Sequence, residues 1–288
     1  SVVFGKLLSG SNYNDSDTRT GIGTNGLGIK LVSIFSREFT VNIKDPINKK
    51  TFTQTWKDSM TIETKSKVSA YSGKSSLVEI SFIIDTSLFV LPQNYYSQLF
   101  AKLETIATVT SCLVTANNVK VYFNDKLLKT SSSANLFKMF DPEVITCEID
   151  TELGKWFIGV SERKQEETIS YVNGSETKRG GKHVNYIANK VTKYLSEFLK
   201  KKTKKNITEG TIKNYMCFYV IATVKNPTFD SQTKDSMDLE YKSWGVKFDI
   251  PETFLKKLTK SKIVDNILAD MSVKENKSLE KISNSSRI

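Results

Sequence analysis

One uninterrupted apolar run, residues 215–224, most constrains how this chain can fold. It reads Tyr-Met-Cys-Phe-Tyr-Val-Ile-Ala-Thr-Val and contains no charged residue. Successive side chains of a strand point to opposite sides of its sheet, so a strand that is apolar at nearly every position is typical of a sheet covered on both faces. The run therefore predicts a strand buried on both faces.

Apolar periodicity elsewhere predicts further strands and helices. Residues 184–201 place one apolar stripe on a helix, formed by Ile187, Val191, Tyr194, Leu195 and Phe198. Helices are also predicted at the start of the chain (1–8) and at 27–35, 95–108 and 263–271. Strands are predicted at 51–56, 78–84, 119–123, 144–149, 156–160 and 168–171, and Asn124-Asp125 marks a turn. Within 78–84, the alternating Val78, Ile80, Phe82 and Ile84 are expected to point inward. The pattern indicates mixed sheets covered by helices.

Composition narrows the classes of protein that remain. The chain has 288 residues, enough for two modest domains, and no apolar run approaches the roughly 20 residues of a membrane-spanning helix. Its three cysteines, Cys112, Cys147 and Cys217, are far apart, which supports neither a disulfide framework nor a Cys/His metal site. They indicate a reducing, intracellular setting. The net charge of +11 favours a polyanionic partner such as nucleic acid.

The glycine-rich run from Gly21 to Lys30 has three interpretations. It fits G-x-G-x-x-G, but the polar residues before it are not the strand that a dinucleotide-binding motif needs. It is not a Walker A motif, because Lys30 does not directly follow a G-x-x-x-x-G unit and no Ser or Thr comes after it. The third interpretation is a lid over a triphosphate, with glycine N–H groups forming an anion nest and Lys30 adding a charge. An ordinary surface loop is the plain alternative.

A second polar loop, Asn226 to Met237, follows the long apolar run. It contains Gln232, Thr233 and Lys234 in the sequence Asn-Pro-Thr-Phe-Asp-Ser-Gln-Thr-Lys-Asp-Ser-Met. Spacing alone is consistent with an ordinary surface turn capped by Asp230 or Ser231.

Three segments in this order resemble the ATPase region of type II DNA topoisomerases of the IIA class. They are Ser11-Asn12-Tyr13 with the glycine-rich run, the segment Tyr171–Tyr186 that contains Gly180-Gly181-Lys182-His183, and the loop Asn226–Met237. The resemblance spans nearly the whole chain. It implies an α+β fold in which the C-terminal part of a GHKL (Bergerat) α/β sandwich is followed by a ribosomal-S5-like transducer domain.

The resemblance also implies which residues contact ATP. The first set is Gly10, Ser11 and Asn12, and the second is Gly23, Thr24, Asn25, Gly26, Leu27, Gly28, Ile29 and Lys30. Gly10 stands where the family has serine, Thr24 where it has arginine, and Leu27 where it has an aromatic residue. The first two changes each remove a hydrogen-bonding side chain, whereas backbone contacts from the glycines are expected to survive.

The same resemblance gives the second loop a role. In the family its lysine reaches from the transducer to the γ-phosphate with support from the glutamine, so Gln232, Thr233 and Lys234 are expected at ATP and Lys234 is the expected catalytic residue. Such a contact would make the angle between the two domains depend on which nucleotide is bound.

A basic run ends the long predicted helix. Lys200, Lys201 and Lys202 match a three-lysine segment that faces the DNA cavity in the family, which implies sequence-independent contact with double-stranded DNA. The plain alternative is a solvated helix C-terminus, where the lysines interact favourably with the negative end of the helix dipole.

Several catalytic parts of the family have no counterpart in this sequence. These are the glutamate that activates water, the asparagine that binds Mg²⁺, an Asp-x-Gly motif for adenine and the DNA-cleaving tyrosine. The first three normally precede the point where the sequence starts. We therefore expect a fragment or one chain of a split enzyme, unable to hydrolyse ATP alone, with the Mg²⁺ ligand, the remaining topoisomerase segments and the two-fold assembly outside it. His183 is expected to be structural, and Trp56, Trp156 and Trp244 to lie in cores or at their edges.

The predicted domain limits are 1–148 for the ATPase part, 149–259 for the transducer and 260–288 for a C-terminal helix and polar tail. The principal hypothesis is the ATP lid and transducer of a topoisomerase, acting inside a cell. One rival is a non-hydrolysing nucleic-acid-binding module of the same fold, and another is an unrelated ATP-binding regulator with a similar lid. No membrane partner is expected.

Overall fold

The computed structural model describes residues 2–7, 9, 19–23, 26–114, 118–128, 133–163 and 168–285, without the side chains of 133–134, 275 and 278–285. The chain forms two compact units. The first comprises residues 1–17 and 23–100, and the second comprises 18–22 and 101–288. The change at residues 100–101 comes earlier in the chain than the domain limit of 148, which stays a prediction.

The first unit is built on an antiparallel sheet. Its strands are β1 (Ser36–Asp45), β2 (Lys50–Lys57), β3 (Ile62–Glu63), β4 (Lys67–Ala70) and β5 (Leu77–Ile84), in the order β3-β2-β1-β5 with β4 also paired to β2. Two short helices, α1 (Val2–Gly5) and α2 (Gly28–Ile34), accompany the sheet. Phe39, Val41 and Trp56 form the buried centre, and Ile29 of α2 packs against them. The predicted helix at 27–35 and strand at 51–56 are thus confirmed.

Strand β5 is less covered than its alternation predicts. Phe82 pairs with Phe39 and Ile80 pairs with Val41, and directly paired residues lie on the same face of a sheet. Phe82 and Ile80 therefore lie on the core face, as expected. However, Phe82 is 49% exposed and Val78 is 65% exposed, so the expected burial is not reached.

The second unit is built on a mixed sheet between layers of helices. Its strands are β8 (Ile145–Thr151), β9 (Gly154–Glu162), β10 (Ile169–Val172), β11 (Ser175–Glu176) and β12 (Met216–Ala222). They are ordered β11-β10-β12-β9-β8, and only the β10–β12 pair is parallel among these neighbours. A small hairpin, β6 (Tyr122–Phe123) and β7 (Lys126–Leu127), turns at Asn124 and Asp125, both with positive φ.

The helices of this unit are α4 (Ser133–Phe140), α5 (Lys182–Thr203), α6 (Glu209–Lys213), α7 (Glu252–Leu258) and α8 (Lys262–Ser285). The two long ones, α5 and α8, contain the helices predicted at 184–201 and 263–271. The boundary between the two units falls inside a further helix, α3 (Tyr95–Val114). Ile187, Val191 and Leu195 of α5 are fully buried, each contributing about 1.5–3 kcal/mol of hydrophobic stabilisation. None of the helices among the described residues combines the length and apolar character that crossing a bilayer requires.

Strand β12 is the centre of the second unit. All seven of its residues are buried. Phe218 and Val220 face one apolar cluster together with α5, whereas Tyr219 and Ile221 face another that includes Val109 of α3. The prediction of a strand buried on both faces is confirmed, and it explains why the run has no charged position.

The three tryptophans are core residues, as expected. Trp156 and Trp244 stack with ring centroids 5.3 Å apart. Their indole N–H groups donate to the backbone carbonyls of Thr223 at 2.9 Å and Leu239 at 2.8 Å, respectively. Trp56 is 1% exposed. Burying both the rings and the indole donors fixes the chain just after β12, where the second polar loop begins.

Candidate nucleotide and DNA site

The loop Asn226–Met237 is fixed at its far end by an approach to the start of α5. Met237 N donates to the carbonyl of Gly180 at 3.1 Å, and Lys182 N donates to the carbonyl of Met237 at 2.9 Å. A Cβ at Gly181 would lie 2.3 Å from the Met237 carbonyl oxygen, and Gly181 has φ +134°, so only glycine fits. Gly180 and Gly181 therefore form the backbone contact that holds the C-terminal end of the loop.

Polar side chains stiffen the middle of this loop. Asp230 accepts hydrogen bonds from the Arg179 guanidinium and from Ser236 N. Thr233 Oγ1 donates to Asp235 Oδ2 at 2.7 Å. The side chain of Thr233 is thus engaged inside the loop, while Gln232 is exposed on its surface.

Lys234 occupies the turn of the loop in a left-handed conformation, with φ 62°. Its amide donates to the Ser231 carbonyl at 3.1 Å, which closes the turn. The side chain is half-buried, and this desolvation lowers the pKa of its ammonium below the ordinary value. Among the described residues no carboxylate forms an ion pair with it. An anion at this position would stabilise the charged form.

Lys30 is a second lysine with few partners, and it lies in the first unit. It is 1% exposed, and its Nζ donates to Ser9 Oγ at 2.8 Å. An ammonium has three donors, but among the described residues only Ser9 Oγ accepts a hydrogen bond from Lys30 Nζ. A buried charge with unused donors is costly unless an anion compensates it. Lys30 therefore fits a site for a phosphate-like group.

The glycines of the run leave room for such a group. A Cβ at Gly23 or Gly28 would meet nothing within 4 Å, so open space borders the backbone at both positions. Gly26 has φ 59°, a left-handed value that favours glycine. The side chain of Ile29 packs on the core of the first unit, which leaves only its backbone for a ligand, and Leu27 precedes α2 half-buried.

Five of the predicted ATP-contacting residues lie outside the described residues: Gly10, Ser11, Asn12, Thr24 and Asn25. Their roles stay predictions. The structure describes Lys30 and Lys234 in different compact units, and each unit brings its own lysine to a partly desolvated position.

Two asparagines that sequence reasoning did not single out hold residues just before the glycine run. Arg19 N donates to Asn226 Oδ1 at 2.9 Å, and Asn226 N donates to the Arg19 carbonyl at 2.9 Å. Asn173 Nδ2 donates to the Thr20 carbonyl at 2.7 Å. Asn173-Gly174 is recognisable as a turn dipeptide, but nothing in a sequence tells how far along the chain an amide side chain reaches. Ser9, the partner of Lys30, was missed for the same reason.

The basic run lies at the end of α5. Lys200, Lys201 and Lys202 are exposed, and in the described residues none of them forms an ion pair. Lys204 ends the helix in a left-handed conformation, with its amide donating to the Lys200 carbonyl at 2.9 Å. The cluster thus presents unneutralised positive charge to solvent, as both DNA contact and a solvated helix end require.

His183 and the cysteines have the environment of structural groups. His183 is fully buried, neither ring nitrogen has a hydrogen-bond partner in the described part of the chain, and burial lowers its pKa to about 3. Burial raises the pKa of Cys147 to about 12 and raises those of Cys112 and Cys217 as well. An imidazole without access to solvent and thiols held in the protonated form do not supply a nucleophile. The described residues hold no group of three or more His, Cys, Asp or Glu side chains placed to bind a metal ion.

Comparison with known proteins decides the family. A sequence model described as DNA gyrase B matches residues 120–286, more than half of the chain. The chain belongs to this family of type II DNA topoisomerases. DNA topoisomerase 2 of Acanthamoeba polyphaga mimivirus is 33% identical over 98% of this chain, which spans 22% of that protein. The chain thus corresponds to about a fifth of such a relative.

Solved structures place the chain within the topoisomerase. The ATPase region of Saccharomyces cerevisiae topoisomerase II is 27% identical and superposes with a TM-score of 0.81, covering 94% of this chain and 70% of that one. The ATPase and transducer domains of DNA topoisomerase II from Balamuthia mandrillaris give a TM-score of 0.82 at 25% identity, covering 95% and 71%. These likenesses confirm the predicted α+β fold and its assignment to the ATPase and transducer region.

Proposed function

We propose that this chain is the ATP-lid and transducer portion of a type II DNA topoisomerase, an isomerase that couples ATP binding and hydrolysis to closure of the N-gate and to DNA strand passage. The observation that supports it most is the state of Lys234. Its ammonium is partly desolvated and no described carboxylate neutralises it, although the loop that carries it is fixed by backbone and side-chain bonds. An unneutralised ammonium on a loop held in place by these bonds is suited to a terminal phosphate.

In this proposal the glycine run and Lys30 hold the triphosphate, and Gln232 supports Lys234. The backbone N–H groups of Gly23 and Gly28 would face the phosphates across the open space beside these two glycines. Mg²⁺, the water-activating glutamate and the cleaving tyrosine belong to other parts of the enzyme. The coverage of 70% of the yeast ATPase region supports this division. The assembly is two-fold and works inside the cell.

The basic end of α5 is the proposed DNA contact. Three adjacent lysines that are exposed and lack ion pairs among the described residues fit phosphate neutralisation without base recognition. The same observation favours the second candidate, a nucleic-acid-binding module of this fold that does not handle nucleotide. The two candidates differ in whether Lys234 matters.

Strand passage by the reconstituted assembly separates the candidates. Lys234→Ala should abolish ATP-dependent strand passage while leaving DNA affinity unchanged. Lys242→Ala is the control, since Lys242 is an exposed lysine of the same unit. If Lys234→Ala and Lys242→Ala pass strands at the same rate, the topoisomerase proposal is wrong. The chain alone should show no ATP turnover above background, and robust turnover would contradict the division of catalytic parts.

A further inference from the structure

Residues 19–22, which include the first two residues of the glycine run, belong to a different compact unit from the rest of the run. Residues 18–22 group with the second unit, whereas residues 23–100 and the chain before residue 18 group with the first. The glycine run therefore starts from a segment attached to the unit of Lys234, and it ends in α2 of the first unit. What holds residues 19–22 on the second unit determines where the run begins.

Asn226 holds this segment by a two-sided contact. Its side-chain Oδ1 accepts from Arg19 N at 2.9 Å, and its own amide donates to the Arg19 carbonyl at 2.9 Å. Asn226 has φ 44° and begins the loop that carries Lys234. Positive φ is tolerated by Asn, Asp and Gly and costs most other residues about 1–2 kcal/mol. Asn226 is thus the first residue of the Lys234 loop and also binds the chain just before the glycine run.

Asn173 makes the second contact from the β10–β11 turn. Its Nδ2 donates to the Thr20 carbonyl at 2.7 Å and to the Val224 carbonyl at 2.8 Å, while its Oδ1 accepts from Val224 N at 2.8 Å. The amide therefore ties the segment to the chain just beyond β12. Because Val224 is fully buried, this anchor rests on the core of the second unit.

Ile22 is the apolar residue at the end of the segment, and it is half-buried. Together with Ile106 and Val109 of α3 and Ile169 and Tyr171 of β10, it lines a groove of about 500 Å³. Burying part of an isoleucine contributes on the order of 1 kcal/mol. Two asparagine side chains therefore bind Arg19 and Thr20, and the half-buried Ile22 follows two residues later.

We infer that Asn226, Asn173 and Ile22 are positioning residues that dock residues 19–22 on the second unit, so that the start of the nucleotide lid and the Lys234 loop move as one body. The inference rests on the proposed function for the role of the lid, but the docking itself does not. Movement of the Lys234 loop would then carry the start of the glycine run with it, because Asn226 begins that loop and is hydrogen-bonded to Arg19. Lys234 would set which nucleotide is preferred, and the docking would set how long it is retained.

The docking is tested in the chain by hydrogen exchange of the Arg19 amide, followed by NMR. Asn226→Gly keeps the backbone conformation and removes the acceptor, so protection of that amide should fall roughly tenfold, as expected for one lost hydrogen bond. Asn226→Asp keeps an acceptor oxygen and should stay within about twofold of the unmutated chain. The Lys225 amide, which donates to the Trp244 carbonyl at 2.8 Å, should be unchanged in all three chains and reports an intact fold.

Two results would overturn the docking: an Arg19 amide that exchanges freely in the unmutated chain, or one whose protection Asn226→Gly leaves intact. Ile22→Ala provides a second variant, and it should expose the bond after Arg19 to trypsin. In the reconstituted assembly, Asn226→Gly should speed release of a non-hydrolysable ATP analogue severalfold while keeping the preference for tri- over diphosphate. Unchanged release would refute the effect on the lid. Loss of the preference is instead the signature of Lys234→Ala, so failure of the proposed function is read separately.

Discussion

Gly181 and Met237 approach so closely that a Cβ on Gly181 would lie 2.3 Å from the Met237 carbonyl oxygen and 2.5 Å from its nitrogen. Gly181 immediately precedes α5, and Met237 closes the loop that carries Lys234. The two backbones form a parallel bridge. The conformation of the loop is therefore tied to the first turn of α5, a helix of 22 residues.

Gly181→Ala should destabilise the second unit and displace the Lys234 loop. The added methyl group meets backbone atoms that cannot rotate away, and φ +134° is unfavourable for alanine. We expect a loss of about 2–4 kcal/mol in the free energy of unfolding, measured by urea denaturation.

The matched control is Gly210→Ala in α6. A Cβ at Gly210 would meet nothing within 4 Å, and replacing a helical glycine by alanine stabilises by about 0.5–1 kcal/mol. The two substitutions should therefore change stability in opposite directions. Equal effects would mean that the close approach does not constrain the loop.

His183 should make stability depend on pH. Burial lowers its pKa to about 3 in the folded chain, from 6.5. Below pH 6.5 the unfolded chain binds a proton that the folded chain does not, so stability falls as the pH decreases from 6.5 toward 3 and is fully present above 6.5. The slope for one proton is about 1.4 kcal/mol per pH unit.

His183→Gln removes this titration and should flatten the dependence. The check is a series of urea midpoints between about pH 4.5 and 7.5, within the window set by the two pKa values. The unmutated chain should lose more stability toward acid than the variant does. Parallel curves would show that His183 titrates normally and is accessible to solvent.

The lysines at the end of α5 should account for part of the salt dependence of DNA binding. Replacing Lys200, Lys201 and Lys202 with glutamine should weaken binding of duplex DNA and lower the slope of log K against log salt by about 2.7, the value for three phosphate contacts. The loss should be the same for unrelated DNA sequences. Fluorescence anisotropy over a salt series measures both quantities.

A triple substitution elsewhere provides the charge-matched control. Lys49, Lys50 and Lys67 are exposed in the first unit. If changing these three to glutamine reduces the slope as much as changing the α5 cluster does, then net charge and not the cluster governs binding.

The sequence predicted helices and strands where burial of one face requires apolar residues at a regular spacing. Strand β12 followed from one apolar run, and α5 followed from a stripe that the structure buries. Strand β1 was missed although Phe39, Val41 and Ile43 alternate along it. The short helices α6 and α7 contain 5 and 7 residues, too few turns to show a period.

The roles of Lys30 and Lys234 in the site stay predictions that come from the family resemblance. Residue type and spacing alone were also consistent with ordinary surface loops at both places. The contact of Asn173 with Thr20 spans 153 positions, and that of Asn226 with Arg19 spans 207. Such contacts depend on the folded path of the chain, which local patterns do not specify. The exposure of β5 likewise depends on what covers its face and not on its alternation.

The claim that Lys234 meets the terminal phosphate is tested most directly by nucleotide selectivity in the reconstituted assembly. The measurement is the ratio of affinities for a non-hydrolysable ATP analogue and for ADP, taken for the unmutated enzyme, Lys234→Ala and the control Lys242→Ala. We expect Lys234→Ala to lower the ratio about tenfold or more, as for one charge-assisted hydrogen bond, while Lys242→Ala leaves it unchanged. A ratio that is the same in all three proteins would contradict the account.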